Sequence, residues 1–141
     1  CGNAWVSGDA RVYGNAWVSG NARVYGNARV CGDAQVSGDA QVSGDAQVSE
    51  TWHYIVVGPI GSEGVHATVF RKKNGKHGLN VGCWDGRLGT LMAEVKRRRA
   101  HYWVPRMVDE ATQTVWMEQY RALKTIGRVT VSRWAKESKD A

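Results

Sequence analysis

Four histidines, three cysteines and two clusters of cationic side chains are the residues of this 141-residue chain that could do chemistry. His53, His66, His77 and His101 are scattered, with no spacing that brings ring nitrogens and thiolates onto one metal. Cys83 and His77 come nearest to a nucleophile and its base. They stand six apart on one expected strand, with no third group to orient the imidazole. The segment GPIGSEG has loop-forming glycines but lacks the lysine that a phosphate loop needs. The reading is therefore non-enzymatic: no catalytic residue, no metal and no cofactor is assigned.

What remains is binding chemistry. Lys96-Arg97-Arg98-Arg99 runs into His101-Tyr102-Trp103, and Arg71-Lys72-Lys73, with Lys76 close behind, decorates an earlier turn. Such cations neutralise phosphates or carboxylates, and the rings of Tyr102 and Trp103 can stack on bases. Cations at a helix end also favour its negative dipole without any partner. Arg71, Lys72, Lys73, Lys96, Arg97, Arg98, Arg99 and Trp103 are the expected partner-binding residues, with either nucleic acid or an acidic protein surface opposite them. The charge distribution agrees. Residues 1–50 hold three Arg against five acids, so the formal net charge of +6 arises wholly in residues 51–141. Cys1, Cys31 and Cys83 form an odd, scattered set that argues for a reducing, cytoplasmic compartment. No apolar run approaches membrane-spanning length, and no membrane partner is expected.

The elements that position these residues begin with a repeat. Eight six-residue units, CGNAWV, SGDARV, YGNAWV, SGNARV, YGNARV, CGDAQV, SGDAQV and SGDAQV, run from Cys1 to Val48 without a gap. A fixed short period makes each unit structurally equivalent and stacks it on its neighbours. Ala and Val stand two apart, so on a strand both point inward, from Ala4 and Val6 to Ala46 and Val48. All eight valines are expected to be almost fully buried. Gly followed by Asn or Asp supplies the corner, because these residues tolerate left-handed backbone.

The motif Val-x-Gly-Asn/Asp-Ala-x resembles the hexapeptide-repeat family. The resemblance implies a left-handed parallel β-helix, a triangular prism with one hexad per side and three per coil. It also brings trimeric acyltransferases to mind as an enzyme class, but none of the four His lies in a hexad and no loop interrupts the array to carry one. Stacking every third hexad puts the outward residues in register, and all the Trp, Tyr and Arg of the array fall in its first five units. Such side chains are enriched at interface cores, which makes Trp5, Trp17 and Tyr25 the expected contacts of a homo-oligomer. By analogy with the family, that oligomer is a trimer. Fewer than three full coils leave two open ends that something must cap, and the start at Cys1, inside a unit and without an initiating Met, leads us to expect either further coils before it or a cleaved chain.

The period breaks at Glu50, which divides the chain into an array at 1–50 and a basic unit at 51–141. Trp52 to Ile60 and Gly64 to Lys73 read as strands, with Asn74-Gly75 as a hairpin turn. A third strand follows from about His77 to Trp84, and Asp85-Gly86 turns the chain into a helix from Leu88 to Arg99. A longer helix is expected from Asp109 to Ala135, with Val115, Tyr120, Leu123, Ile126 and Trp134 inward. Gly127 and Val129-Thr130-Val131 leave a terminal strand as the alternative for its second half. The expected fold class is mainly β: a left-handed parallel β-helix, then a small α+β domain of a three-stranded meander and two helices.

Residues 54–95 carry a second resemblance. The runs IVVGPIGSEG, ATVFRKKNGK and VGCWDGRLGTLMAEV are similar to a small domain that follows hexapeptide repeats in bacteriophage and prophage proteins. Relatives of that kind read GPIGSR, TxFR and GCFxGTLxEFExxV, whereas here Glu63 replaces the basic residue and Trp84 the Phe. The resemblance implies a context and no mechanism. The resulting expectation is a phage- or prophage-type interaction protein in the host cytoplasm, its β-helix an oligomerisation stem or spacer and its basic domain engaging a host protein. A nucleic-acid-binding accessory protein is the alternative.

Overall fold

The computed structural model describes residues 4–61, 64–72, 76–81 and 84–140, with side chains to residue 134 in the last segment. Each of the eight units contributes one two-residue strand: β1 (Trp5–Val6), β2 (Arg11–Val12), β3 (Trp17–Val18), β4 (Arg23–Val24), β5 (Arg29–Val30), β6 (Gln35–Val36), β7 (Gln41–Val42) and β8 (Gln47–Val48). They stack as three parallel sheets, β1-β4-β7, β2-β5-β8 and β3-β6, in a register where Trp5 pairs with Arg23 and Arg23 with Gln41. The corner glycines have φ between 62° and 71°, the left-handed region that a side chain resists. Coils also touch there: a Cβ on Gly26 would lie 2.9 Å from the Gly44 nitrogen. Period, corner residue and sheet register thus have one cause.

Burial in the prism is graded along its axis. Val24, Val30, Val36, Val42 and Val48 are fully buried, but Val6 is 45% exposed and Val12 and Val18 are half-buried. The expectation of eight buried valines therefore fails for the first coil. Its interior is open on one side because no described residue stacks below it.

The other end is closed by a four-stranded antiparallel sheet in the order β12-β11-β10-β9, built from β9 (Tyr54–Ile60), β10 (Val65–Arg71), β11 (His77–Val81) and β12 (Trp84–Gly86). Alternation along β10 sends Thr68 and Phe70 to the prism and Ala67 and Val69 to the opposite face. Phe70 joins the prism core, with Tyr54 and Val56 beside it. Gly78 makes room for its ring, since a Cβ there would lie 2.5 Å from the Phe70 Cζ. Polar side chains complete the seal by taking over the hydrogen bonds that a further coil would make. The Gln41 N–H donates to Thr68 Oγ1 (3.0 Å), and Asn80 Nδ2 donates to the Gln41 carbonyl (2.9 Å). On another side, the Ser37 N–H donates to the Tyr54 hydroxyl (3.2 Å), which itself donates to the Gln35 carbonyl (2.7 Å). On the third, Arg71 Nε donates to the Gln47 carbonyl (3.0 Å), and His53 Nδ1 accepts from the Ser49 N–H (3.1 Å). Every side of the last coil is bonded, by groups from β9, β10, β11 and the short turn Thr51–His53.

The far face of the sheet carries two helices, α1 (Leu88–Arg98) and α2 (Glu110–Asp140). Gln113, Met117, Tyr120, Leu123, Gly127 and Trp134, with partly buried Val131, form the inward stripe of α2 at three- and four-residue spacing, while Val115 and Ile126 lie outside it, 54% and 48% exposed. Two further expectations are corrected. Asp85-Gly86 belongs to a fourth strand, β12, instead of a turn, and the expected third strand ends at Val81. The second half of the last helix stays helical through Gly127, where a Cβ would lie 2.7 Å from Leu88 Cδ2; the glycine lets α2 close on α1. The expected Asn74-Gly75 turn, Glu63 and Cys83 lie outside the described residues.

Two outcomes follow. Val42→Asp buries an unpaired carboxylate and should cost about 4 kcal/mol or more, while Val6→Asp at the open end should cost less than about 1 kcal/mol. Urea denaturation followed by circular dichroism measures both. His77 accepts the Leu88 N–H at Nε2 (3.2 Å), and burial, with Arg87 and Lys72 nearby, lowers its pKa below the usual value. A histidine with a lowered folded pKa binds fewer protons folded than unfolded. Stability is therefore fully present above pH about 6.5 and falls as pH drops through the lowered folded value. His77→Gln should flatten that part of the stability–pH curve.

Candidate partner-binding surface

The cationic run begins where α1 ends. Glu94 is buried on the last turns of α1 and gathers two of the arginines: Arg97 Nη2 lies 2.6 Å and Arg98 Nε 3.8 Å from its Oε1. Hydrogen bonding to Glu94 holds the Arg97 pKa above its ordinary value. Arg99 turns away and donates from Nε to Gln113 Oε1 (2.8 Å), while Gln113 Nε2 donates to the Val108 carbonyl (2.8 Å). Lys96 projects into solvent.

From Arg99 to Trp103 the helix widens into one π turn, in which the Val104 N–H donates to the Arg99 carbonyl (2.9 Å). The extra residue shifts the phase of the side chains that follow. Trp103 is carried inward, 2% exposed, with its ring centroid 5.0 Å from that of Trp116. Tyr102 is carried outward, and the guanidinium carbons of Arg97 and Arg106 lie 5.9 and 5.7 Å from its ring centroid. Val104 and Met107 are exposed beside it, Met107 at 89%. Met107 has a φ of 58°, which costs a non-glycine residue on the order of 1 kcal/mol. Asp109 then caps α2, accepting the Thr112 N–H (3.0 Å) and hydroxyl (2.7 Å), and these bonds lower its carboxyl pKa. The turn is thus held from both sides while its apolar tip faces outward.

The expected site residues divide accordingly. Lys96, Arg97, Arg98 and Arg99 lie together on one helix end, with Arg97 and Arg98 tied to a buried carboxylate. Trp103 is a core residue and cannot serve as a contact; Tyr102 takes the outward position. Arg71 is corrected too, since its guanidinium seals the prism through Gln47 and Ser49. Lys72 continues β10 beside the last coil through a bridge to Ala46, and Lys73 lies outside the described residues. The two cationic runs therefore do not form one surface, because β10 presents Arg71 to the prism while α1 packs on the other face of the sheet. Arg106, Val104 and Met107 were missed in the sequence. Their only signal is Pro105, which forces a break after a cationic helix end.

The expected oligomer contacts are distributed over the prism. Trp5 (56% exposed) and half-buried Tyr25 share the side of β1-β4-β7, where Arg23 lies 5.2 Å over the Trp5 ring, but Trp17 (65% exposed) stands on the side of β3-β6. They do not make a single patch. The histidines are similarly separate: His66 faces Asp39 (3.4 Å), and His53 and His77 accept backbone N–H groups. Among the described residues no group of His, Cys, Asp and Glu could hold a metal ion, and no helix is long and apolar enough to cross a membrane.

Residues 4–20, 16–32, 22–38 and 34–50 match a family model described as the YdcK beta solenoid repeat. No curated protein and no solved structure matches the chain at a significant level. The array, from its first described strand to the start of the sealing turn, is similar to that solenoid repeat.

Proposed function

We propose that the chain is a non-enzymatic binding module, in which the solenoid is a rigid stem and the α+β unit both seals its end and presents the turn at 102–107 to an acidic protein partner. One observation carries this reading: the exposed Tyr102 ring stands between Arg97 and Arg106, beside the exposed Val104 and Met107. An apolar and aromatic centre with a cationic rim is the composition of an interface hot spot. Protein is favoured over nucleic acid because Glu94 offsets one charge of the Arg97-Arg98 pair and Arg71 faces the prism. Fewer free cations remain than the sequence count suggests. A host protein as that partner, in a phage or prophage setting and in the host cytoplasm, rests on the resemblance of residues 54–95 and on the cysteine usage. Self-association through Trp5, Trp17 and Tyr25 is a further part of the proposal, with a trimer favoured by analogy with hexapeptide-repeat proteins.

Reversing Arg97 and Arg98 would confront the buried Glu94 with like charge, so the informative variants lie elsewhere. Tyr102→Ala should weaken partner binding by about 2 kcal/mol, and Lys96→Glu with Arg106→Glu should weaken it at least as much. Neither should alter the unfolding midpoint by more than a few degrees. Capture from nuclease-treated host lysate, wild type against variant, reads the difference. Equal capture by all three proteins would sink the proposal. Binding of a single-stranded oligonucleotide with a steep salt dependence would establish the nucleic-acid alternative instead. A monomer by light scattering at micromolar concentration would remove the self-association.

A further inference from the structure

Two apolar lines run along α2, and only one of them is covered. The inward stripe packs on α1 and the sheet. On the opposite side Ala111, Val115, Ala122, Ile126 and Val129 succeed one another at steps of four, seven, four and three residues, all of them exposed. Those steps keep returning to one direction of a 3.6-residue turn, so the five side chains form a straight seam about 27 Å long. Val115, Ile126 and Val129 are the exposed large apolar residues of α2 among the described residues, and all three lie on it. β-Branched residues form helix less readily than Ala, Glu or Lys, so a solvated face gives no reason to align three of them. A partner surface does. Charge is divided along the same helix. From 109 to 118 the charged residues are Asp109, Glu110 and Glu118; from 119 to 134 they are Arg121, Lys124, Arg128 and Arg133. The helix dipole accounts for such a division only in the first and last turns. Glu118, Arg121 and Arg128 lie well inside a helix that runs from Glu110 to Asp140.

We propose that the seam is the docking surface of a second copy of this chain, with α2 packed antiparallel on α2 about a twofold axis at Ala122. Val115 and Val129 each stand seven residues from Ala122, so each meets the other across the axis. The small side chain of Ala122 lets the two backbones approach at the centre. The antiparallel direction sets the acidic half of one helix against the basic half of the other, whereas a parallel pair would set like charges together. Beside the seam, Glu118 comes opposite the copy's Arg128. Within its own helix Arg128 has no acid three or four residues away, and Glu118 has only the exposed pair with Arg121 (2.7 Å). Such a pair contributes little by itself and leaves the carboxylate available. The seam lies on the side of α2 turned away from the sheet, and therefore away from the prism. It is a separate surface from Trp5, Trp17 and Tyr25, and either contact can fail without the other.

Sedimentation equilibrium on the full chain, from about 5 to 500 µM, spans the range suited to a contact of one helix per partner. Val129→Glu, at a position 68% exposed, should raise the dimer dissociation constant on the order of tenfold or more and leave the circular dichroism unchanged. Glu118→Arg and Arg128→Glu should each weaken the dimer, and the two together should restore it. Direction is read by cross-linking in a chain whose Cys1, Cys31 and Cys83 are changed to Ser. Ala122→Cys should then form a disulfide with its own copy. Val115→Cys should cross-link to Val129→Cys in a mixture but not to itself, because two Val115 positions would stand about 21 Å apart. A chain that stays monomeric throughout overturns the proposal. So do a Val129→Glu variant that associates like the wild type, a charge swap that restores nothing, and a disulfide between two copies of Val115→Cys.

Discussion

A stack of parallel coils has no natural stop, and everything else in this molecule answers to that constraint. The last coil exposes main-chain donors and acceptors on three sides at once, and an apolar bore between them, where a further coil would have satisfied both. Here a sheet does the work of that coil with side chains. Thr68, Asn80, Tyr54, Arg71 and His53 reach the main-chain groups, and Phe70 fills the bore. The placement of β9 to β11, and through them of both helices, follows from where those main-chain groups lie.

The repeat was legible in the sequence because its period, its inward Ala and Val and its corner Gly are all local. A unit looks the same wherever it stands in the stack, so the loss of burial at Val6, Val12 and Val18 was not legible; exposure at an end depends on what lies beyond it. The sealing role of the sheet was hidden for a related reason. Thr68, Asn80 and Arg71 read as ordinary polar positions of alternating strands, and only their register against the last coil distinguishes them. Arg71 illustrates the cost of reading charge without geometry, since a cation counted toward an external partner bonds a carbonyl inside the molecule.

Phase decided the outcome in the helical layer. Helical spacing of α1 continued without change would put Tyr102, seven residues after Val95, on the buried face; the single π turn shifts the phase by one residue, burying Trp103 and exposing Tyr102. The same sensitivity placed Val115 and Ile126 outside the stripe of α2 while Tyr120, Leu123 and Trp134 stayed within it. Gly127 read as a helix breaker by propensity, yet it is the residue that allows close approach of the two helices at Leu88. Contact geometry outweighed intrinsic preference at that position.

Adjacent residues of β10 belong to different cores, Val69 to the helical layer and Phe70 to the prism. Stem and helical layer are therefore joined through the thickness of one strand, with no linker between them that could act as a hinge. A pull or torque applied at the turn around Tyr102 passes through β10 directly into the axis of the prism. Mechanically the molecule is a lever with a welded handle: whatever grips the tip also orients the stem.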